Sequence, residues 1–221
     1  MVFIISELCI NFRDEKEAIK MIKASKDAGA DAVKFQFYSP EIVDYHPRKN
    51  ELICRCLTTS RVKELVAACE KYKIEFMATP MTIEAVSILS PFVKRWKIRY
   101  KDRNNPEIFK AIKLAHPQRQ ILVSCNGPED TIFRNERDVV FLSVVPEYPP
   151  TKTIVPEKFE VFKGFSSHYP DVNVPILARE RGAEYIEVHT MLDKYSDGYD
   201  PIDSSVSLTM SELKELCKKE L

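Results

Sequence analysis

The sequence predicts a (β/α)8 TIM barrel, somewhat trimmed, formed by one catalytic domain over residues 1–221. Three observations carry that reading. Eight short apolar, β-rich runs alternate with amphipathic segments along the chain, the pattern of βαβ units and a parallel sheet. The length, 221 residues, suits a single α/β barrel core. Finally, two of the four histidines, His168 and His189, end consecutive apolar runs 21 residues apart. That spacing is one βα unit and brings both imidazoles to the same end of the sheet. A doubly wound sheet is the alternative.

The elements follow in order. The apolar opening Val2–Leu8 is the first strand, and the amphipathic Glu15–Ala28 the first helix. Ala32–Phe37 is a strand, after which the stretch 38–58, with His46, Pro40, Pro47 and several charges, carries no assigned element. On the catalytic face of a barrel, such a loop is a lid or a surface excursion. Thr59–Tyr72 (helix), Glu75–Pro80 (strand), Ile83–Leu89 (helix), Arg95–Tyr100 (strand), Pro106–Ala115 (helix) and Gln120–Cys125 (strand) continue the alternation. Short or irregular helices are expected around 127–135 and 155–162, on either side of the strand Val139–Val145. Lys163–His168, Val172–Arg181, Tyr185–Leu192 and Ser211–Glu220 complete the series as strand, helix, strand and helix.

Composition narrows the function classes. Lys+Arg and Asp+Glu balance at 33 each, so no global field points to nucleic acid or an anionic membrane. No run approaches the roughly 18 apolar residues of a membrane span, and no basic region precedes the short N-terminal apolar run. The six cysteines (Cys9, Cys54, Cys56, Cys69, Cys125 and Cys217) form no CxxC pair, so reduced thiols are the default. A cytoplasmic protein with no nucleic-acid or membrane partner is expected.

Neutral imidazole is the commonest transition-metal ligand, and two histidines in register point to a metal-assisted site; a local cap at each strand end is the plain alternative. Strand alternation also turns charges inward. Lys34 and Gln36 oppose Val33 and Phe35, Glu187 and His189 oppose Ile186 and Val188, Glu7 lies near the end of the first strand, and Lys97 lies between Trp96 and Ile98. Unpaired buried charges cost several kcal/mol each. These residues must therefore pair in an internal salt-bridge ladder, bind a metal, or meet a charged ligand, and their place toward the C-terminal strand ends favours chemistry.

Several motifs resemble those of the sialic acid synthase family, the N-acetylneuraminate synthases. Ser6-Glu7-Leu8-Cys9-Ile10-Asn11 is similar to its E-I-G-x-N-H opening, Ala28–Gln36 to AGADAVKFQ, and Phe76–Pro80 with Glu84-Ala85-Val86 to F-x-S-T-P-x-x-x-E-A-V. Trp96-Lys97-Ile98 resembles Y-K-I, Gly164–His168 resembles GFSDH, and Ile186–His189 resembles I-E-K-H. Gly198-Tyr199-Asp200 and Ser207-Leu208-Thr209 are similar to G-P-D-H and S-L-T-P. The resemblance implies a metal-dependent condensation of phosphoenolpyruvate with an N-acylated aminosugar, such as N-acetylmannosamine, giving a nonulosonic acid and phosphate. It implies that His168 and His189 ligate Mn²⁺ or Mg²⁺. It also implies that Lys34, Lys97, Ser124 and Ser166 cradle phosphoenolpyruvate, that Glu7 handles protons or positions water, and that Asp200 and Tyr148 bind sugar hydroxyls. A homodimer is the candidate assembly.

The chain departs from the pattern at specific places. Phe12 replaces the opening His, and Tyr100 replaces the serine three residues after Lys97. Arg99 beside it either points inward and supplies the missing phosphate contact, or belongs to the surface or lid. N-I-Y-P becomes Pro146-Glu147-Tyr148-Pro149, GFSDH becomes Gly164-Phe165-Ser166-Ser167-His168, and Pro201 follows Asp200. The family's C-terminal antifreeze-like domain is expected to be missing. Another metal-dependent aldolase or lyase, or a non-catalytic anion-binding barrel, are the competing readings.

Overall fold

The structure, a computed structural model, describes residues 1–152, 154–195 and 198–218. Eight parallel strands build it: β1 (Phe3–Cys9), β2 (Ala32–Phe37), β3 (Glu75–Pro80), β4 (Trp96–Ile98), β5 (Ile121–Cys125), β6 (Val139–Ser143), β7 (Gly164–Ser167) and β8 (Tyr185–Met191). They pair in the order 3-2-1-8-7-6-5-4, which brings β3 and β4 together as the two ends of a nearly closed barrel. Side chains bind that seam. Arg95, just before β4, donates to both carboxylate oxygens of Glu75 at the start of β3, at 2.7 and 3.2 Å, and to Gln120 at 3.0 Å.

Among the described residues, seven helices follow: α1 (Glu15–Ala28), α2 (Lys49–Cys54), α3 (Thr59–Tyr72), α4 (Ile83–Leu89), α5 (Pro106–Ala115), α6 (Asn173–Glu180) and α7 (Met210–Leu216). Local chemistry sets their ends. The side chains of Asp14, Thr58, Thr82 and Asn105 accept N-terminal backbone N–H groups of α1, α3, α4 and α5. Gly29 ends α1 at φ 105°, a left-handed cap that glycine adopts without steric cost. Thr209 and Glu212 form a reciprocal capping box on α7.

The expected barrel is present, with differences in detail. Residues 38–58 hold a 3-10 turn (Pro40–Val43) and α2 rather than a plain loop. The connection at 127–135 contains two 3-10 turns, whereas 155–162 forms no helix. A ninth strand, β9 (Ser207–Thr209), pairs with β8. The last helix ends at Leu216 instead of Glu220, and residues 219–220 lie outside the described residues. No described helix is long and apolar enough to cross a membrane. All six cysteines are free.

The core has two parts. Val33, Phe35, Phe76, Trp96, Val123, Phe165, Ile186 and Val188 face the helices. Ile5, Ala32, Met77, Leu122 and Leu142 plug the barrel interior, so the polar residues above them sit on a dry floor. Gly164 has no room for a side chain: an added Cβ would lie 2.3 Å from Leu142 Cδ2 and 2.6 Å from the Tyr185 carbonyl. Gly164→Ala is therefore expected to cost roughly 3 kcal/mol or more by overpacking, measurable by urea unfolding; a loss below about 1 kcal/mol would show that β7 yields freely.

Candidate active site

Above the apolar plug lies a layer of buried charge. Register places Lys34 and His189 opposite Glu7, and Glu187 opposite Ser166. Lys34 Nζ pairs with Glu7 Oε2, donates to Thr79 Oγ1 at 2.8 Å, and lies 3.8 Å from Glu187. Lys97 Nζ donates to Ser124 Oγ at 2.7 Å and to the Ile98 carbonyl at 3.1 Å, and lies 3.5 Å from Glu187. Ser166 donates to Glu187 Oε1 at 2.9 Å, while Glu187 Oε2 is buried without a hydrogen bond. Glu7 Oε1 accepts the Cys9 N–H at 2.8 Å. The phosphoenolpyruvate residues expected from sequence, Lys34, Lys97, Ser124 and Ser166, thus meet in one layer. Both lysines are already matched by Glu7 and Glu187.

Burial lowers the ammonium pKa of Lys34 to about 7, against the opposing pull of Glu187, and burial likewise lowers that of Lys97. Burial would raise the Glu187 carboxyl, but Lys34, Lys97 and the Ser166 hydroxyl outweigh it and hold it below the usual range. The unfolded carboxyl near 4.5 therefore binds a proton before the folded one does. The stabilisation from Glu187 is complete above that pH and is lost as pH falls below it. The stability gap between the native chain and Glu187→Gln is expected to narrow from pH 5 to pH 3 in urea unfolding; a gap that widens on acidification would contradict this.

The charged layer lies beneath a cavity of about 390 Å³ lined by Gln36, Arg99, Tyr148, His168, His189 and Asp203, among others, within the range of small-molecule sites. The His168 and His189 rings stand 5.2 Å apart, and the Tyr148 ring meets them edge-on at 4.9 and 6.1 Å. Burial, then the neighbouring His189, pushes the His168 imidazole down to about 3; burial also lowers His189. Both rings are neutral at pH 7, with lone pairs available. Arg99 faces the cavity while paired to Asp102, which favours the inward alternative. Residues 38–58 roof the cavity through Tyr38, Ile42, Val43, Tyr45, His46 and Leu52, so this stretch is no mere surface excursion.

One expected residue is displaced. Asp200 is exposed and does not line the cavity; its backbone carbonyl accepts from Arg48 at 2.9 Å. Asp203 supplies the carboxylate instead. Its Oδ1 accepts from the Tyr148 hydroxyl at 2.7 Å, and its Oδ2 lies 3.7 Å from His189 Nδ1, a buried atom with no hydrogen bond. The buried amide of Asn11 fixes this placement: Oδ1 accepts the Asp203 N–H at 3.0 Å, and Nδ2 donates to Ser207 Oγ at 2.8 Å and the Thr190 carbonyl at 3.0 Å. Cys9 joins His189 and Asp203, with donor atoms all within 4.8 Å of one another. Burial, then Asp203, pushes its thiol pKa up. Sequence reasoning gave roles to neither Asp203 nor Cys9. The turn residues Asp203-Ser204-Ser205 before β9 were the available signal for Asp203.

The NeuB family profile matches residues 21–220. The chain belongs to the NeuB family. Its NeuB relatives include the pseudaminic acid synthase of Campylobacter jejuni, 30% identical over 249 residues, with 97% of this chain and 71% of the relative covered. The N-acetylneuraminate-9-phosphate synthase of Mus musculus is 27% identical, covering 98% and 68%. Among solved structures, the N-acetylneuraminic acid synthetase of Leptospira borgpetersenii superposes with TM-score 0.83 at 25% identity over 98% of this chain and 81% of that one. A DAHP synthase from Thermotoga maritima, TM-score 0.74 at 14% identity over 98% and 67%, shares the barrel fold with this NeuB chain.

Proposed function

We propose that this NeuB chain condenses phosphoenolpyruvate with an N-acylated aminosugar aldehyde to give a sialic-acid-type nonulosonic acid and inorganic phosphate. The observation that carries the reading is the pair His168 and His189, held neutral beside Asp203 in the lining of a cavity above two buried lysines. The names of the relatives support the same reaction class. Phosphoenolpyruvate, the aldehyde and water supply all atoms of the products: the enol carbon bonds to the aldehyde carbon, and water balances the departing phosphate.

The residues fit a divalent cation such as Mn²⁺ or Mg²⁺, since His189 Nδ1 is an orphaned buried donor atom facing a carboxylate. His168 and His189 would hold it, with Asp203 beside them, and when bound it supplies Lewis-acid polarisation of a carbonyl oxygen. Arg99 at the cavity wall and Lys34 and Lys97 beneath it bind the phosphate and carboxylate of phosphoenolpyruvate. Ser124 orients the Lys97 ammonium and Ser166 orients Glu187. Glu7 Oε2, against Lys34 Nζ, holds the proton that the reacting centre gives or takes. Tyr148 and Asp203 bind sugar hydroxyls, the role first expected of Asp200. The roof that residues 38–58 form over the cavity excludes water. Six free cysteines suit the cytoplasm.

The test is phosphate release from phosphoenolpyruvate by protein loaded in turn with Mn²⁺ and with Co²⁺, offered N-acylated hexosamines or simple aldehydes. Release only with an N-acylated aminosugar, with a nonulosonic acid as product, is expected. Release only with simple aldehydes, or none with any acceptor, would overturn the proposal.

A further inference from the structure

Cys9 occupies a backbone position that disfavours it. It lies at φ 47°, in the left-handed region, where glycine is comfortable and a residue with a Cβ is strained. The β1–β2 register slips here, between Glu7 and Cys9. The motif E-I-G-x-N-H, which the opening of this chain resembles, has glycine at this position. This chain carries a side chain there at a steric cost, and that side chain is only 1% exposed.

Its surroundings suggest why. The sulfur lies within 4.8 Å of a donor atom of both His189 and Asp203, about 1 Å beyond the roughly 3.3–3.8 Å between two donors on a tetrahedral ion at bond lengths of 2.0–2.3 Å, a gap that small side-chain rotations close. His189 is 5% exposed, and its Nδ1 has no hydrogen-bond partner. Asp203 Oδ1 is engaged by Tyr148, leaving Oδ2 toward the imidazole. Sulfur, nitrogen and oxygen donors therefore converge from β1, β8 and the turn before β9.

We infer that Cys9 is a thiolate ligand of the divalent-cation site, making this centre selective for thiophilic cations such as Zn²⁺, Fe²⁺ or Co²⁺ over Mn²⁺ and Mg²⁺. The inference rests on the reading that the site holds a divalent cation. Ligation forms the sulfur–metal bond as the thiol proton passes to solvent. No electron is transferred. A sulfur donor raises affinity for soft and borderline ions far more than for hard ones.

The experiment titrates the purified protein, Cys9→Gly and His189→Ala with Co²⁺, Cd²⁺ and Mn²⁺ alone, reading absorbance and affinity, and records each melting curve. Cobalt is expected to give a sulfur-to-metal charge-transfer band in the native chain and none in Cys9→Gly. Cd²⁺ affinity should fall about 100-fold in Cys9→Gly and Mn²⁺ affinity by less than about tenfold. That variant should melt no lower than the native chain, because glycine relieves the left-handed backbone. Bound cobalt without the band, or an unchanged Cd²⁺-to-Mn²⁺ ratio in Cys9→Gly, would overturn the thiolate ligand while leaving the cation site standing. Binding of every ion unaltered by His189→Ala would overturn both.

Discussion

Glu187→Gln is expected to destabilise the protein by about 3–5 kcal/mol, the usual result of removing one member of a buried ion network. The side chain lies 3.8 Å from Lys34 and 3.5 Å from Lys97. Lys34 would keep Glu7 and Thr79 as partners. Lys97 would keep only the Ser124 hydroxyl and the Ile98 carbonyl, neither of which carries charge. Glutamine matches the shape of glutamate and still accepts from Ser166, so the loss is electrostatic and not a cavity effect. An anion entering the site should restore the missing charge. Inorganic phosphate or phosphoenolpyruvate is thus expected to raise the melting temperature of Glu187→Gln more than that of the native chain. Urea unfolding and thermal shift check both parts. A change under about 1 kcal/mol, with equal stabilisation by phosphate, would mean that Glu187 does not bridge the two lysines.

His189→Ala is expected to abolish metal retention and to lower kcat/KM by at least about a thousandfold, the equivalent of the several kcal/mol that carbonyl polarisation supplies. The ring approaches both His168 and Asp203, and it sits on β8, opposite Glu7 of β1 and Ser207 of β9. Its loss removes a donor that no neighbour on that strand can replace, since Val188 and Thr190 alternate to the other face. Elemental analysis after dialysis is the direct check, with circular dichroism showing that the barrel persists. Undiminished metal content would move the site away from these histidines.

Much of the fold was legible because its signals are local. The limits of β2, β3, α1, α3, α4 and α5 agree with expectation, and the caps responsible (Asp14, Gly29, Thr58, Thr82 and Asn105 before Pro106) lie in the sequence itself. Helix α2 was missed because it is six residues long and Arg48 gives its N-terminus no side-chain cap. Strand β9 was missed because its three residues acquire a strand partner only through β8. The charged layer was readable from period-two alternation: Glu7, Lys34, Lys97 and Glu187 all turn inward. Asp203 was not, because its one local mark, the turn Asp203-Ser204-Ser205, does not say which carboxylate enters the cavity. The choice between the two carboxylates is made by Asn11, far away in the chain, whose amide grips the Asp203 backbone.

That grip also imposes an order on synthesis. The Asn11–Asp203 hydrogen bond spans 192 residues, and Asn11 is tied in turn to Ser207. While the chain is still growing on the ribosome, β1 and β2 can already carry Cys9, Glu7 and Lys34, yet the opposing carboxylate has not emerged. The constellation is completed only when residues 203–207 close onto the end of β1. A nascent chain thus holds these groups apart, and the meeting of Cys9, His189 and Asp203 becomes a late event of folding.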